Sequence, residues 1–126
     1  MRSVRIQSDG WAARLAGGMI LALGLCACDG GGWSHTPPAG MGSIIVDNRT
    51  TDGVNVYLDG YYTNRVSGFD YTAFDLAPAV HRVVLDESHG SRNWWGDVDV
   101  LAGKLTVIEV NNGYYSLDYD VRIYFD

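Results

Sequence analysis

From Ser43 onward the apolar residues recur at every second position, a period that fits strands and excludes helices. Ile44 and Val46 alternate with Ile45 and Asp47, and Val54, Val56 and Leu58 alternate with Asn55, Tyr57 and Asp59. Val83 and Leu85, Val98 and Val100, and Val121, Ile123 and Phe125 continue the pattern. Each set offers one apolar face and one wet face, as in an antiparallel sheet covering a core on one side. Turn residues fall between the runs: Asp52-Gly53, Asp59-Gly60, Ala102-Gly103-Lys104 and Asn112-Gly113. Asp59-Gly60, set between Val-Tyr-Leu and Tyr-Tyr, is a strong hairpin signal. Residues 43–126 therefore read as all-β, a small antiparallel β-sandwich of about seven strands. Its core is expected to draw on Phe69, Phe74, Tyr57 and Phe125.

Residues 1–27 have a different character. Arg2, Arg5 and Arg14 stand against one acid, Asp9, and Leu15 to Leu25 is an uncharged run. A spanning helix needs about 20 apolar residues, so this shorter run reads as a secretory signal. At its end, Leu25-Cys26-Ala27-Cys28 resembles the bacterial lipobox, in which an aliphatic residue and small residues precede a cysteine. The resemblance implies that the Cys28 thiol forms a thioether with a diacylglycerol and that cleavage follows between Ala27 and Cys28. The alternatives are an ordinary signal peptide or a Cys26–Cys28 disulfide. The latter is strained, because an extended Cys-x-Cys pair sits near the upper limit of disulfide reach. Beyond Cys28 there is no cysteine, so the domain is expected to fold without disulfides or thiolate-bound metal.

Residues 28–42, rich in glycine and proline, read as a tether. Asp29 to Met41 includes Gly-Gly-Gly and Pro-Pro, which neither start a helix nor sit in a sheet. A flexible chain of that length spans about 20 Å. Trp33 within it is either incidental or dips into a lipid interface.

The chain has nine basic and fifteen acidic side chains, a net charge of -6. Phosphate binding needs clustered Lys and Arg, and Lys104 is the one lysine, so nucleic acid is excluded as a partner. Residues 28–126 keep six basic against fourteen acidic side chains. Such a body is repelled by an anionic membrane surface, which leaves acyl chains to hold it, at about 0.8 kcal/mol per buried methylene.

Three stretches together resemble the PEGA domain, a short β-sandwich module of bacterial envelope proteins. They are Asn55-Val-Tyr-Leu-Asp-Gly60, the segment Phe74 to Leu85 with its Leu-Ala-Pro-Ala-Val-His-Arg-Val, and Val98 to Val107 with Gly103 at its turn. Thr51-Asp-Gly53 stands where the family has Pro-x-Gly-Ala, and residues 112–126 extend beyond the match. The likeness, shared with transthyretin-like sandwiches, implies a non-catalytic structural or binding module. His81 matches the family's histidine and is expected to bond the adjoining turn. Val98–Val107 corresponds to a closing hairpin.

Catalytic chemistry has no signature here. His35, His81 and His89 belong to no nucleophile or zinc motif, so no catalytic residue, metal or cofactor is expected. Asp97-x-Asp99 and Asp118-x-Asp120, with Asp70 or Asp75, would suit calcium, but they read as solvated strand faces that block aggregation. Asn48-Arg-Thr50 fits a glycosylation acceptor, which a bacterial chain would not use. The candidate binding residues are Trp94, Trp95, Tyr61 and Tyr62. Neighbours on a strand face opposite ways, so one tryptophan of the pair can pack while the other is exposed to a protein or a sugar ring. The expected role is a membrane-anchored envelope lipoprotein, facing the periplasm or the exterior, that contacts another envelope protein. The alternative is a glycan- or peptidoglycan-binding module.

Overall fold

The computed structural model describes residues 32–126; the expected signal segment, residues 1–27, and Cys28 lie outside them. Eight strands follow one another: β1 Gly42–Asn48, β2 Val54–Leu58, β3 Tyr61–Val66, β4 Asp70–Leu76, β5 Ala79–Glu87, β6 Asn93–Val100, β7 Leu105–Asn112 and β8 Tyr119–Phe125. They form two four-stranded sheets, ordered β4-β1-β7-β8 and β3-β2-β5-β6. The domain is an all-β sandwich, and no helix occurs among the described residues. All pairs are antiparallel except β1 with β7, which run parallel. Residues 112–126 complete the first sheet, since β8 pairs with β7 from Thr106↔Phe125 to Asn112↔Tyr119.

Local chemistry explains the connections. Asp59 and Gly60 both have positive φ, 52° and 91°, as a tight hairpin turn between β2 and β3 requires. A Cβ on Gly42 would lie 2.3 Å from the carbonyl oxygen of Leu101, so only glycine lets β1 start there. Asn48, fully buried, knots the crossover from β1: its amide reaches the carbonyls of Asp52 and Val66 at 2.7 and 3.1 Å. Its Oδ1 accepts from the Thr50 backbone and hydroxyl. An amide so committed cannot carry a glycan. Val98–Val107 differs from the expected hairpin: β6 and β7 lie in different sheets, and the turn at Gly103 carries the chain across.

The core between the sheets is aliphatic. Ile44, Val46, Val54, Val56, Val83, Leu85, Ile108 and Val110 are fully buried, with Phe74 at the centre. The expected aromatic core is otherwise overturned. Phe69 is 72% exposed in a left-handed turn, Phe125 is exposed on the edge strand β8, and Tyr57 faces outward. Valine and isoleucine suit this interior because branched side chains fit a pleated surface.

A second apolar cluster sits on the outer face of the first sheet. Ile45, Ala73, Leu105 and Val107 are buried there beneath Trp33. This corrects both expectations for Trp33: the indole packs on the domain itself. Its ring meets Tyr71 edge-on at 4.8 Å. Two residues on, His35 Nε2 lies 2.7 Å from Asp75 Oδ1. The part of the tether that the structure describes is thus docked along the sheet.

Candidate functional site

Among the described residues, nothing covers the outer face of the second sheet in this way. Strand register builds a row across it. Tyr57 lies opposite Tyr62 on β3 and opposite Val84 on β5, and Val84 lies opposite Trp95 on β6. Three strand spacings make the row about 14 Å long. Its ends are open, with Tyr62 56% and Trp95 61% exposed. The Tyr57 and Tyr62 rings meet edge-on at 5.5 Å.

Polar rows flank the aromatic one. Arg65, Asn55, Asp86 and Asn93 form one by register. On the other side Arg82 lies opposite Asp97. The Arg82 guanidinium stands 4.4 Å from the Trp95 ring centroid and donates to both Asp97 carboxylate oxygens. That guanidinium holds the Asp97 carboxyl below the usual carboxylate range. A charged guanidinium over an indole face adds about 0.5–1 kcal/mol at an exposed site.

The four candidate residues divide. Trp95 and Tyr62 share the outer row. Trp94 points inward and packs against the core, where Gly96 makes room for it: a Cβ there would lie 2.7 Å from the Trp94 ring. Tyr61 sits opposite Leu58 at the hairpin tip, exposed but on the other side of the strand. Sequence reasoning missed Tyr57 and Val84. The two-residue turn Asp59-Gly60 held the signal, since it forces residue 58 opposite 61 and residue 57 opposite 62.

The covered face of the first sheet has its own polar cluster. Glu109 lies opposite Asp47 and Arg122. It accepts from Arg122 Nη2 at 2.6 Å and from Arg49 Nη1 at 2.8 Å. Arg122, and then Arg49, hold the Glu109 carboxyl below its ordinary value. Burial pushes the neighbouring Asp47 carboxyl up. With Gly32, Trp33 and Tyr124 these side chains line an open cleft of about 380 Å³.

His35, Asp75 and Ser43 have the residue types of a hydrolytic triad but not its connections. Ser43 and His35 both bond Asp75 Oδ1, so the serine is not joined to a base. His81 bonds Asp59 and the Ala77 carbonyl, and His89 bonds Asp52. Among the described residues no group of three His, Cys, Asp or Glu side chains is placed to hold a metal.

No family model matches the chain, and no curated protein matches it. The PEGA likeness therefore rests on the three stretches named above. Among solved structures, the chain is similar to the N-terminal domain of AlgF from P. aeruginosa, with a TM-score of 0.54 and 12% identity. The match covers 71% of this chain and 96% of that one. At this identity the similarity is one of fold alone.

Proposed function

We propose that this chain is a membrane-anchored bacterial envelope lipoprotein, acylated at Cys28, whose sandwich is a non-catalytic module that contacts another envelope protein. The lipobox-like Leu25 to Cys28 and the PEGA-like stretches support the setting. The observation that carries the binding role is the row Tyr62–Tyr57–Val84–Trp95 on an open sheet face. Exposed aromatics with an arginine beside them are the side chains that dominate protein contacts. The anchor confines the module to the membrane and so raises its effective concentration near partners there.

Glycan binding is the second reading, favoured by the polar rows beside the aromatic one. Arg82 covers one face of Trp95, which leaves at most one face of that ring for a sugar.

Photocrosslinking in the native membrane separates the two. A crosslinker at Tyr62 or Trp95 is expected to trap one protein that a crosslinker at Tyr124, on the outer face of the first sheet, does not. If instead the domain pellets with insoluble peptidoglycan, and Trp95→Ala abolishes the pelleting, the module is a glycan binder. Cys28→Ala is expected to release the protein from membranes without unfolding it; retention in the membrane fraction would sink the anchor reading.

A further inference from the structure

The two outer faces of the sandwich differ in one respect that bears on orientation: the N-terminal segment leaves the domain from the first. Trp33 is seated on Ile45, Ala73, Leu105 and Val107. His35, its side chain only 6% exposed, is held by Asp75. These contacts pin the chain at Trp33 and His35. Cys28 precedes Gly32 by four residues, and four Cα steps reach at most about 15 Å.

Gly32 lies at the cleft beside Trp33, Arg49, Arg122 and Tyr124. Although Glu109 binds both arginines, their side chains are 57% and 70% exposed. Glu109 engages Nε and Nη2 of Arg122 and Nη1 of Arg49. Each guanidinium has five N–H groups, so donors remain on both, and guanidinium donors match phosphate oxygens. Tryptophan and tyrosine beside them suit the headgroup layer. In this cleft Arg49 and Arg122 balance Asp47 and Glu109.

We infer that the outer face of the first sheet lies against phospholipid headgroups, with Arg49 and Arg122 as phosphate ligands, and that the aromatic row on the second sheet is thereby turned away from the bilayer. The inference rests on the reading that Cys28 carries the anchor. It makes the docked segment an orienting strap rather than a loose leash.

The test couples residues 28–126, through their one cysteine, to a maleimide lipid in nanodiscs that contain a gadolinium-chelating lipid. Residue-by-residue amide relaxation reads proximity to the headgroups. Asp47, Glu109 and Arg122 are expected to relax several-fold faster than Tyr57, Val84 and Trp95. Equal relaxation of the two faces, or the reverse order, overturns the inference. Arg49→Gln with Arg122→Gln is expected to narrow the contrast, with the amide spectrum confirming the fold; an unchanged contrast removes the arginines as ligands. Mass spectrometry of the chain from envelopes reads acylation of Cys28 separately. An unacylated chain there defeats the anchor reading, while the chemically coupled chain still reports the orientation.

Discussion

His81 locks Asp59 into the first hairpin of the second sheet. Its Nδ1 lies 2.6 Å from Asp59 Oδ2 and its Nε2 lies 2.8 Å from the Ala77 carbonyl oxygen. Both partners are acceptors, so both ring nitrogens donate and the ring is an imidazolium. Asp59 also accepts from the Arg82 backbone N–H. One charge pair thus ties the left-handed turn residue to β5 and to the chain before it.

That pair sets a pH window for stability. Burial pulls the His81 pKa down, but the bonds to Ala77 and Asp59 outweigh it, leaving the value above 6.5. The His81 bond lowers the Asp59 carboxyl below 3.8. A raised histidine stabilises fully below its unfolded value and loses that contribution as pH rises through its folded value. A lowered carboxylate stabilises fully above its unfolded value and loses it as pH falls through the folded one. The pair therefore contributes fully between 3.8 and 6.5 and fades above. Urea midpoints taken inside that interval and well above it are expected to fall with pH. Asp59→Asn, which tolerates the left-handed turn, is expected to flatten the decline; a slope unchanged by this variant would refute the assignment.

The strap should contribute to stability. Trp33 is half-buried, so Trp33→Ala is expected to cost about 1–2 kcal/mol, below the range for fully buried aromatics. His35→Ala takes the ring from a carboxylate whose other oxygen, Oδ2, is buried with no partner among the described residues. Leaving a buried carboxylate short of donors costs about 3 kcal/mol. Asp75→Asn added to His35→Ala should recover part of this, because the neutral amide needs less compensation. Denaturant midpoints of the two singles and the double give the coupling. Zero coupling would mean that the 2.7 Å contact does not form in solution.

Phe69 adopts φ 57° with its ring mostly in solvent. A left-handed conformation costs an ordinary L-residue about 1–2 kcal/mol, and asparagine tolerates it better. Phe69→Asn is expected to raise stability by about 1 kcal/mol, read as a shift in the thermal midpoint. A loss instead would show that the exposed ring has packing the backbone strain offsets.

Much of the sandwich was legible because burial on one face writes itself as period two. Val54-Asn-Val-Tyr-Leu58 has one possible inward set, and the two-residue turn after it leaves one register. Elsewhere the local signal is absent. In β4, Thr72, Phe74 and Leu76 face one way while Tyr71, Ala73 and Asp75 face the other, so neither face is cleanly apolar. The parallel pairing of β1 with β7 joins segments about sixty residues apart, which no local pattern encodes. Trp33 was hidden among glycines and prolines. Its seat went unread as well: Ile44-Ile45-Val46 breaks strict alternation, as a strand covered on both faces does, but the period-two reading assigned Ile45 to a wet face. Of the site, the exposure of one tryptophan in the pair followed from alternation; which one required the register.

Trp94 and Trp95 differ by one position and by everything that position implies. Trp94 lies on the core side with Gly96 beneath its ring; Trp95 lies on the outer row beneath Arg82. Trp94→Ala is expected to lower stability by about 2 kcal/mol, since half of a large aromatic leaves the interior. It should affect binding only as far as it unfolds the domain. Trp95→Ala removes an exposed ring and one cation–π contact, for about 0.5–1 kcal/mol. It should nonetheless abolish crosslinking from Tyr62, because the row loses one of its two open ends. A variant carrying both changes would mix these effects. Singles, each scored for denaturant midpoint and for crosslink yield, keep them apart. If Trp95→Ala leaves the yield intact while the fold is retained, the aromatic row is not the binding surface.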